Sequence, residues 1–513
     1  MSARVVIVGG GITGLAAAYR LHRLLPDAAL TLVEAEPRLG GKIRTERSNG
    51  FVLEAGPDIF LSGKPRGVGL CDELGIGHRL VGTRRETQGS FILRGGRLHP
   101  VPEGLTGLVP TRFQPFAETH LLSSVGKLRM LADLFIPPRR GDDDEALATF
   151  VTRRLGREAF EWLVDPLLGG IFAGDARQLS LAATFPHLRA QELEHGSLVR
   201  AALAARRQQA RGRGNGADRA APAKPGFVSF PTGLAELTEA LEESLAPAVD
   251  FRRGVAALRI RDTRAPAQDA VDADGIRRYY TRPVTPRAET ERPARFTVDL
   301  ADGAALPADA VVLAAPAYAV AAMLEDTAPE LAATLREIPY VTTATVSLAY
   351  RRDQVPHPLK GHGYVIPRAE GRPAQACTWV GSKLAGRAPA DTALFRVFIG
   401  SAGRPLRADI DEVALVTVAR EELRETLGVT AAPSLARGTL WDRALPQYTL
   451  GHLERVAAAE AHAAGHAGLY LAGAAYHGVG IPDCIASGEA AAERAARELA
   501  TFPGEAPPAT LGP

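Results

Sequence analysis

Gly9-Gly10-Gly11-Ile12-Thr13-Gly14 satisfies G-x-G-x-x-G and stands directly after the β-branched run Arg4–Val8 (RVVIV). That run predicts a buried parallel strand, and Leu15–Leu21 predicts a helix opening behind the glycines. A second predicted strand, Ala29–Val33, ends at Glu34. The chemistry of this pattern is anion binding. Gly9 permits the tight turn, Gly11 lets the backbone approach a pyrophosphate, and Gly14 allows close helix–strand packing. The helix start adds unpaired N–H groups and the positive end of its dipole. Glu34 is placed to accept hydrogen bonds from a ribose 2′-OH, and its charge disfavours a 2′-phosphate. With strand, helix and acid in order, the unit predicts a dinucleotide site; the alternative is a glycine-rich turn without a ligand.

Arg38-Leu39-Gly40-Gly41-Lys42-Ile43-Arg44-Thr45 is a second glycine–basic element just past Glu34, and Phe51–Asp58 (FVLEAGPD) follows it. Basic side chains there suit phosphate charge, although alone they would also fit a solvated basic turn. Together these stretches resemble the R-x-G-G-[RK]-x-x-[ST] element and its successor in the flavin amine oxidase superfamily. The resemblance implies non-covalently bound FAD. Ala35, Arg38, Gly41, Lys42 and Arg44 would lie along the diphosphate side, and Gly56, Pro57, Asp58 and Ile59 against the isoalloxazine ring.

The C-terminal region supplies a matching unit. Gly468–Gly473 (GLYLAG) predicts a strand ending in glycine, and Val479–Cys484 (VGIPDC) opens a helix expected over about 485–499. Pro482 suits a first helical turn, and a helix start stabilises the electron-rich end of a reduced flavin. In the superfamily such a unit returns to the N-terminal domain, which implies cofactor contacts at Gly473, Val479, Gly480 and Ile481. Cys484 reads as a buried structural thiol rather than a covalent flavin anchor. Gly226–Leu234 resembles the superfamily's turn ahead of a helix, here Leu234–Leu245. Val249–Val255 then reads as a strand whose Val255 falls at the family's backbone contact to adenine.

The elements needed to position these residues define the expected architecture, α/β plus α+β. A Rossmann-like FAD-binding domain is assembled from discontinuous segments 1–85, 226–316 and 440–502, with an insertion at 262–295. A substrate-binding sheet takes 86–105 and 317–439, seeded by Thr343–Tyr350 (TATVSLAY) and Thr392–Ile399 (TALFRVFI). Residues 106–205 form a helical subdomain. There Leu121, Leu122, Val125, Leu128, Leu131 and Phe135 recur at helical spacing, predicting a core-facing stripe, with a membrane-surface helix as the alternative. The basic, Gly/Ala/Pro-rich segment 206–225 reads as a disordered loop and 503–513 as a frayed tail.

Three internal strings are similar to motifs of the porphyrinogen oxidases: Gln88–Pro102, Val164–Ser180 (VDPLLGGIFAGDARQLS) and Trp441–His452 (WDRALPQYTLGH). The resemblance runs from residue 4 to about residue 499. The stretch from Gly89 through Pro115 looks most like the soluble bacterial branch that oxidises coproporphyrinogen III. It implies six-electron oxidation to coproporphyrin III in haem biosynthesis, by hydride transfer from a meso carbon to flavin N5, with O2 as acceptor and H2O2 formed. Aromatisation supplies driving force, so positioning can carry the catalysis and no general base is assigned. The substrate's propionates call for basic partners: Lys64 first, then Arg97, with Arg94 weaker. Trp441 is expected to pack over the flavin edge. Protoporphyrinogen IX, an amine or a polyene remain alternative substrates, and a flavin-binding interaction module is a third class.

Composition narrows the field further. With 60 Lys+Arg against 58 Asp+Glu, the net charge of +2 in 513 residues does not mark a nucleic-acid binder. Cys71, Cys377 and Cys484 form no CxxC pair and fit a reducing compartment, and no metal-ligand cluster is evident. No apolar run reaches the ~18 residues of a membrane helix. Gly9–Gly11 interrupts the only N-terminal run that could pass for a signal peptide. The reading is a cytoplasmic protein, with peripheral membrane contact left open. Ferrochelatase or another haem-pathway enzyme is the partner that the resemblance brings; nothing in the sequence specifies an oligomeric state.

Overall fold

Five short strands, most of them aliphatic, form one parallel sheet in the computed structural model, which describes residues 2–87, 89–102, 105–106, 109–110, 113–141, 143–214, 225–264, 293–407 and 409–501. The strands are β1 (Arg4–Val8), β2 (Ala29–Glu34), β3 (Val249–Arg253), β4 (Ala310–Leu313) and β5 (Leu469–Leu471), in the spatial order β3-β2-β1-β4-β5. Both faces of β1 are covered: Val5 and Ile7 enter one core cluster, Val6 and Val8 another. A near-continuous apolar strand is what a parallel sheet sandwiched between layers requires. Helix α1 (Ile12–Leu24) and helix α2 (Ile481–Ala500) share one face. They meet through small residues: a Cβ on Gly488 would stand 2.2 Å from the Thr13 carbonyl oxygen. The strand order reverses at β1/β4, which leaves a crevice beyond the carboxyl ends of the strands.

A second, seven-stranded sheet has the order Leu435–Pro446, Tyr340–Arg351, Thr392–Ile399, Ala374–Trp379, Gly363–Val365, Phe91–Arg94, Arg97–Pro100. Its two faces differ because side chains alternate along each strand. Ala344, Val346, Leu348, Cys377, Trp379, Phe395, Val397 and Ile399 build a core against helix Glu412–Leu427. Thr345, Ser347, Thr378, Arg396 and Phe398 occupy the opposite face, with Thr345 beside Phe398 and Arg396 between Ser347 and Thr378. That polar face looks toward the N-terminal glycine turns.

Several sequence expectations differ from these elements. Residues 440–446 belong to the seven-stranded sheet, since Leu435–Pro446 pairs along Tyr340–Arg351. Helices Ala317–Met323 and Pro329–Arg336 cover the parallel sheet instead of joining the substrate region. Helix Leu198–Gly214 runs into the stretch expected as a loop, because Ala, Arg and Gln sustain helix until the Gly-rich run. Residues 215–224, 265–292 and 502–513, which hold most of the expected loop, insertion and tail, lie outside the described residues. In the helical region Leu121 and Leu122 are buried, but Val125, Leu128 and Phe135 are 78%, 70% and 85% exposed. The helix there, Ser124–Leu131, buries Gly126 and Met130 rather than Val125 and Leu128, and it gives way to a tighter turn at Ala132–Phe135 that takes Phe135 out of helical phase.

Candidate functional site

The glycine turn after β1 is built as the motif requires. Gly9 has φ +108°, and a Cβ on Gly14 would stand 1.8 Å from the Gly9 carbonyl oxygen. Around Gly11 there is room: the nearest atom to an added Cβ is the Gly41 Cα at 4.0 Å. Helix α1 starts at Ile12 with no side chain capping its N–H groups, leaving those donors and the dipole to an anion. Thr13 is buried within that first turn. Glu34 accepts from the Gly10 N–H at 2.6 Å and the Glu36 N–H at 2.8 Å. A carboxylate has about four acceptor sites, so it keeps capacity for a sugar hydroxyl. Val255, just past β3, donates its N–H to the Glu34 carbonyl at 3.1 Å, so both stand at one edge of the sheet. Ala35 is exposed beside them.

The second glycine element lies directly against the first. Gly40 donates to the Gly10 carbonyl at 2.8 Å, and Gly41 has φ +54°. Arg38 turns its guanidinium onto its own loop, donating to the carbonyls of Leu39, Gly41 and Ile43 at 3.3, 2.5 and 3.3 Å. It therefore holds the turn's shape. Arg44 is exposed. Lys42 is reachable by solvent yet ringed by protein, and desolvation pushes its ammonium below its ordinary value. A cation so placed favours an incoming phosphate.

Gly56, Pro57, Asp58 and Ile59 form the third wall. A Cβ on Gly56 would stand 1.7 Å from the Lys42 carbonyl oxygen, so this segment packs on the second glycine element without side-chain separation. The seven-stranded sheet grips it from the other side. Trp441 Nε1 and Thr345 Oγ1 donate to the Ala55 carbonyl at 2.9 and 2.7 Å, and Arg396 donates to the Gly56 carbonyl. Asp58 accepts from Lys383 at 2.7 Å. Burial opposes its charge, but Lys383 and Arg396 overcome that and hold its carboxyl at about 2.

The C-terminal unit closes the arrangement. Gly473 has φ +130°, and an added Cβ would meet nothing within 4 Å, so its backbone faces open space. Its N–H donates to Ser487 Oγ at 2.9 Å. Helix α2 begins after Gly480 with no side-chain cap, and Ile481 is buried behind it. Val479 packs on the core of the helical region. Tyr448 clamps the intervening loop, donating to the Ala474 carbonyl and accepting from the Gly478 N–H, both at 2.7 Å. The Cys484 thiol is buried, and desolvation pushes it up to about 11.

The basic residues singled out for propionates sit in different settings. Lys64 reaches both carboxylate oxygens of Asp483 at 2.6 Å, beside the start of α2. Arg94 is taken up by Glu158 at 3.2 Å and lies over the Trp162 ring. Arg97 is exposed on the outer edge strand, at the far end of the sheet from Trp441. Lys383, Arg387, Arg396 and Phe398 were not singled out from sequence. The one available signal was a lone arginine inside the apolar strand TALFRVFI. A separate cavity of about 300 Å³, whose lining includes Asp175, Gln178, Tyr340 and Gln447, contains no residue of the glycine turns. Among the described residues no metal-ligand cluster occurs and no helix is long and apolar enough to cross a membrane.

Uncapped helix starts, close-packed glycine turns, an acid at the end of β2 and open space at Gly473 fit a dinucleotide bearing an extended ring system. Residues 12–496 match the model of the flavin containing amine oxidoreductases, and the chain belongs to that family. It is an oxidoreductase, and membership brings a flavin cofactor. Its relatives include the coproporphyrinogen III oxidase of Bacillus subtilis (strain 168), 35% identical over 95% of this chain and 96% of that protein. The protoporphyrinogen oxidase of Homo sapiens is 31% identical over 96% and 98%. The crystal structure of a candidate protoporphyrinogen oxidase from Exiguobacterium sp. 255-15 superposes with a TM-score of 0.80 at 33% identity, covering 98% of this chain and 99% of that one.

Proposed function

We propose that this chain is an FAD-dependent, O2-dependent oxidase that converts coproporphyrinogen III to coproporphyrin III in haem biosynthesis. The observation that carries the reading is the 35% identity to the Bacillus subtilis coproporphyrinogen III oxidase across 95% of the chain. The human protoporphyrinogen oxidase at 31% keeps protoporphyrinogen IX as the second reading. FAD, when bound, supplies the hydride acceptor at N5, and O2 restores it with release of H2O2, three times per porphyrin.

The residues divide the remaining work. Gly9–Gly14, with Ile12 at the start of α1, cradle the diphosphate; Glu34 takes the ribose, and Val255 meets the adenine. Lys42, with Arg44, adds positive charge, while Arg38 fixes the turn. Gly56–Ile59, Gly473 and Val479–Ile481 frame the ring, and Trp441 holds the ring-side segment through Ala55. Binding is non-covalent: the raised Cys484 thiol is protonated at neutral pH and is no nucleophile. Phe398 gives the substrate an apolar ring on an otherwise polar face of the second sheet. Lys64 takes a propionate by exchanging it for Asp483, and Arg97 serves a second. No side chain is needed as a base, since pyrrole protons leave as the macrocycle aromatises. The setting is the cytoplasm, and a ferrochelatase or another haem-pathway enzyme takes up the product line.

The test is porphyrin fluorescence over time in air, with each porphyrinogen supplied separately and heat-inactivated protein as control. A faster rise with coproporphyrinogen III is expected. Preference for protoporphyrinogen IX selects the second reading, and no rise from FAD-loaded protein overturns both.

A further inference from the structure

Arg396 is 3% exposed, yet two of its nitrogens, Nε and Nη1, have no hydrogen-bond partner. Its third nitrogen, Nη2, donates to the Gly56 carbonyl, and the guanidinium lies over the Phe398 ring with 4.6 Å to the centroid. Two further cations stand nearby, Arg387 buried and Lys383 partly so, and each has its own acid. Lys383 is 2.7 Å from Asp58, and Arg387 is 3.0 Å from Glu54. Arg396 is left 3.8 Å from an Asp58 that Lys383 already holds. Three cations thus share two carboxylates, and the surplus charge sits on the segment that grips Gly56.

A buried charge without its own counter-ion is costly, and a purely structural arginine would be served better by a partner carboxylate. Substrate does not supply one. The unpartnered nitrogens are covered by protein, so no propionate can dock on them. What remains within reach of this charge is whatever lies against the Gly56 segment. In a low-dielectric layer a fixed charge acts strongly over short distances and is little screened by salt. The flavin ring is placed there by the reading above, on which this inference rests. We infer that Arg396 is a positioning residue that sets the flavin's electron affinity: it pins the Gly56 carbonyl and holds a positive charge, only partly balanced by the Asp58 it shares with Lys383, beside the ring, favouring the electron-rich reduced cofactor. Hydride acceptance from the porphyrinogen becomes easier, with no added step and no added reactant.

The experiment measures FAD content and the two-electron midpoint potential of the purified full chain and of three variants. Arg396→Met is expected to weaken reduction at least tenfold, a fall of about 30 mV for a two-electron couple. Arg396→Lys, which keeps the charge, stays within threefold of the parent. Asp58→Asn, which removes a negative charge from the same cluster, moves the potential the other way. A merely structural role would loosen FAD in Met and Asn variants alike without opposite shifts in potential. Parent protein that binds no FAD would sink the cofactor reading itself. FAD-loaded Arg396→Met with an unchanged potential would overturn the inference and leave that reading standing. If Arg396→Met does not fold, Asp58→Asn decides: a potential that fails to rise overturns the inference.

Discussion

A methyl group on Gly14 would stand 1.8 Å from the Gly9 carbonyl oxygen, backbone against side chain with nothing able to rotate away. The turn must shift, and overpacking of this kind costs about 1–3 kcal/mol. Gly14→Ala is therefore expected to lose FAD on gel filtration and to lower the unfolding midpoint of the FAD-free protein. Retention of stoichiometric FAD would contradict the assigned role of this turn. Gly473 presents the opposite case. Its neighbourhood is open, so the constraint there is the positive φ rather than a clash. The first of these glycine roles was legible in sequence, because G-x-G-x-x-G encodes a specific packing problem. The roles of Arg38 and Lys64 were not, because an arginine or lysine in a turn carries no sign of whether its charge faces a ligand or its own chain. Arg38 is spent on three loop carbonyls, and Lys64 is paired with Asp483.

At the level of elements, the loop leading into α2 depends on a stacked pair, Tyr448 on His452, with ring centroids 3.9 Å apart. Tyr448 clamps Ala474 and Gly478, while the His452 ring bonds the Tyr476 carbonyl at 3.1 Å and is fully buried. Desolvation pushes His452 down to about 4, against the pull of that carbonyl. The folded state therefore resists a proton that the unfolded chain accepts near 6.5. Stability from this residue is fully present above pH 6.5, falls as pH drops from 6.5 toward 4, and levels off below 4, a change of up to about 3 kcal/mol. His452→Phe keeps the stack and removes the titration. Urea midpoints of parent and variant between pH 7 and 4 should converge or cross as pH falls, whereas parallel curves would contradict the assignment. The histidine stood inside the string WDRALPQYTLGH, but nothing in its spacing indicated a stacked, neutral ring under the loop leading into α2.

Across the whole molecule, a buried ion pair ties the loop ahead of Thr392–Ile399 to the end of strand Phe51–Glu54. Arg387 bonds Glu54 at 3.0 Å, Ser229 Oγ at 2.7 Å and the Phe230 carbonyl at 2.8 Å, with both charged side chains almost fully enclosed. Removing one partner leaves a buried charge alone. Arg387→Ala should cost about 3–5 kcal/mol in chemical unfolding, and the double variant Arg387→Met with Glu54→Gln should cost less than Arg387→Ala alone. An additive or larger loss in the double variant would show that the pair is not the joint.

The sequence by itself determined the local machinery: the strands of the parallel sheet, the glycine turns, the acid at the end of β2, and two strands of the second sheet, Thr343–Tyr350 within the longer Tyr340–Arg351 and Thr392–Ile399. These follow from short-range rules, since apolar periodicity and backbone freedom act within a few residues. Only the tertiary structure decided which face of the second sheet meets Gly56 and that Arg396, Lys383 and Arg387 converge there. It also decided that the stripe from Val125 to Phe135 points outward. Those outcomes depend on strand register, where a slip of one residue reverses a side chain's direction, and on which helix face finds a neighbour to pack against. A pattern of residue types along the chain does not carry that information; the packing of distant segments against one another does.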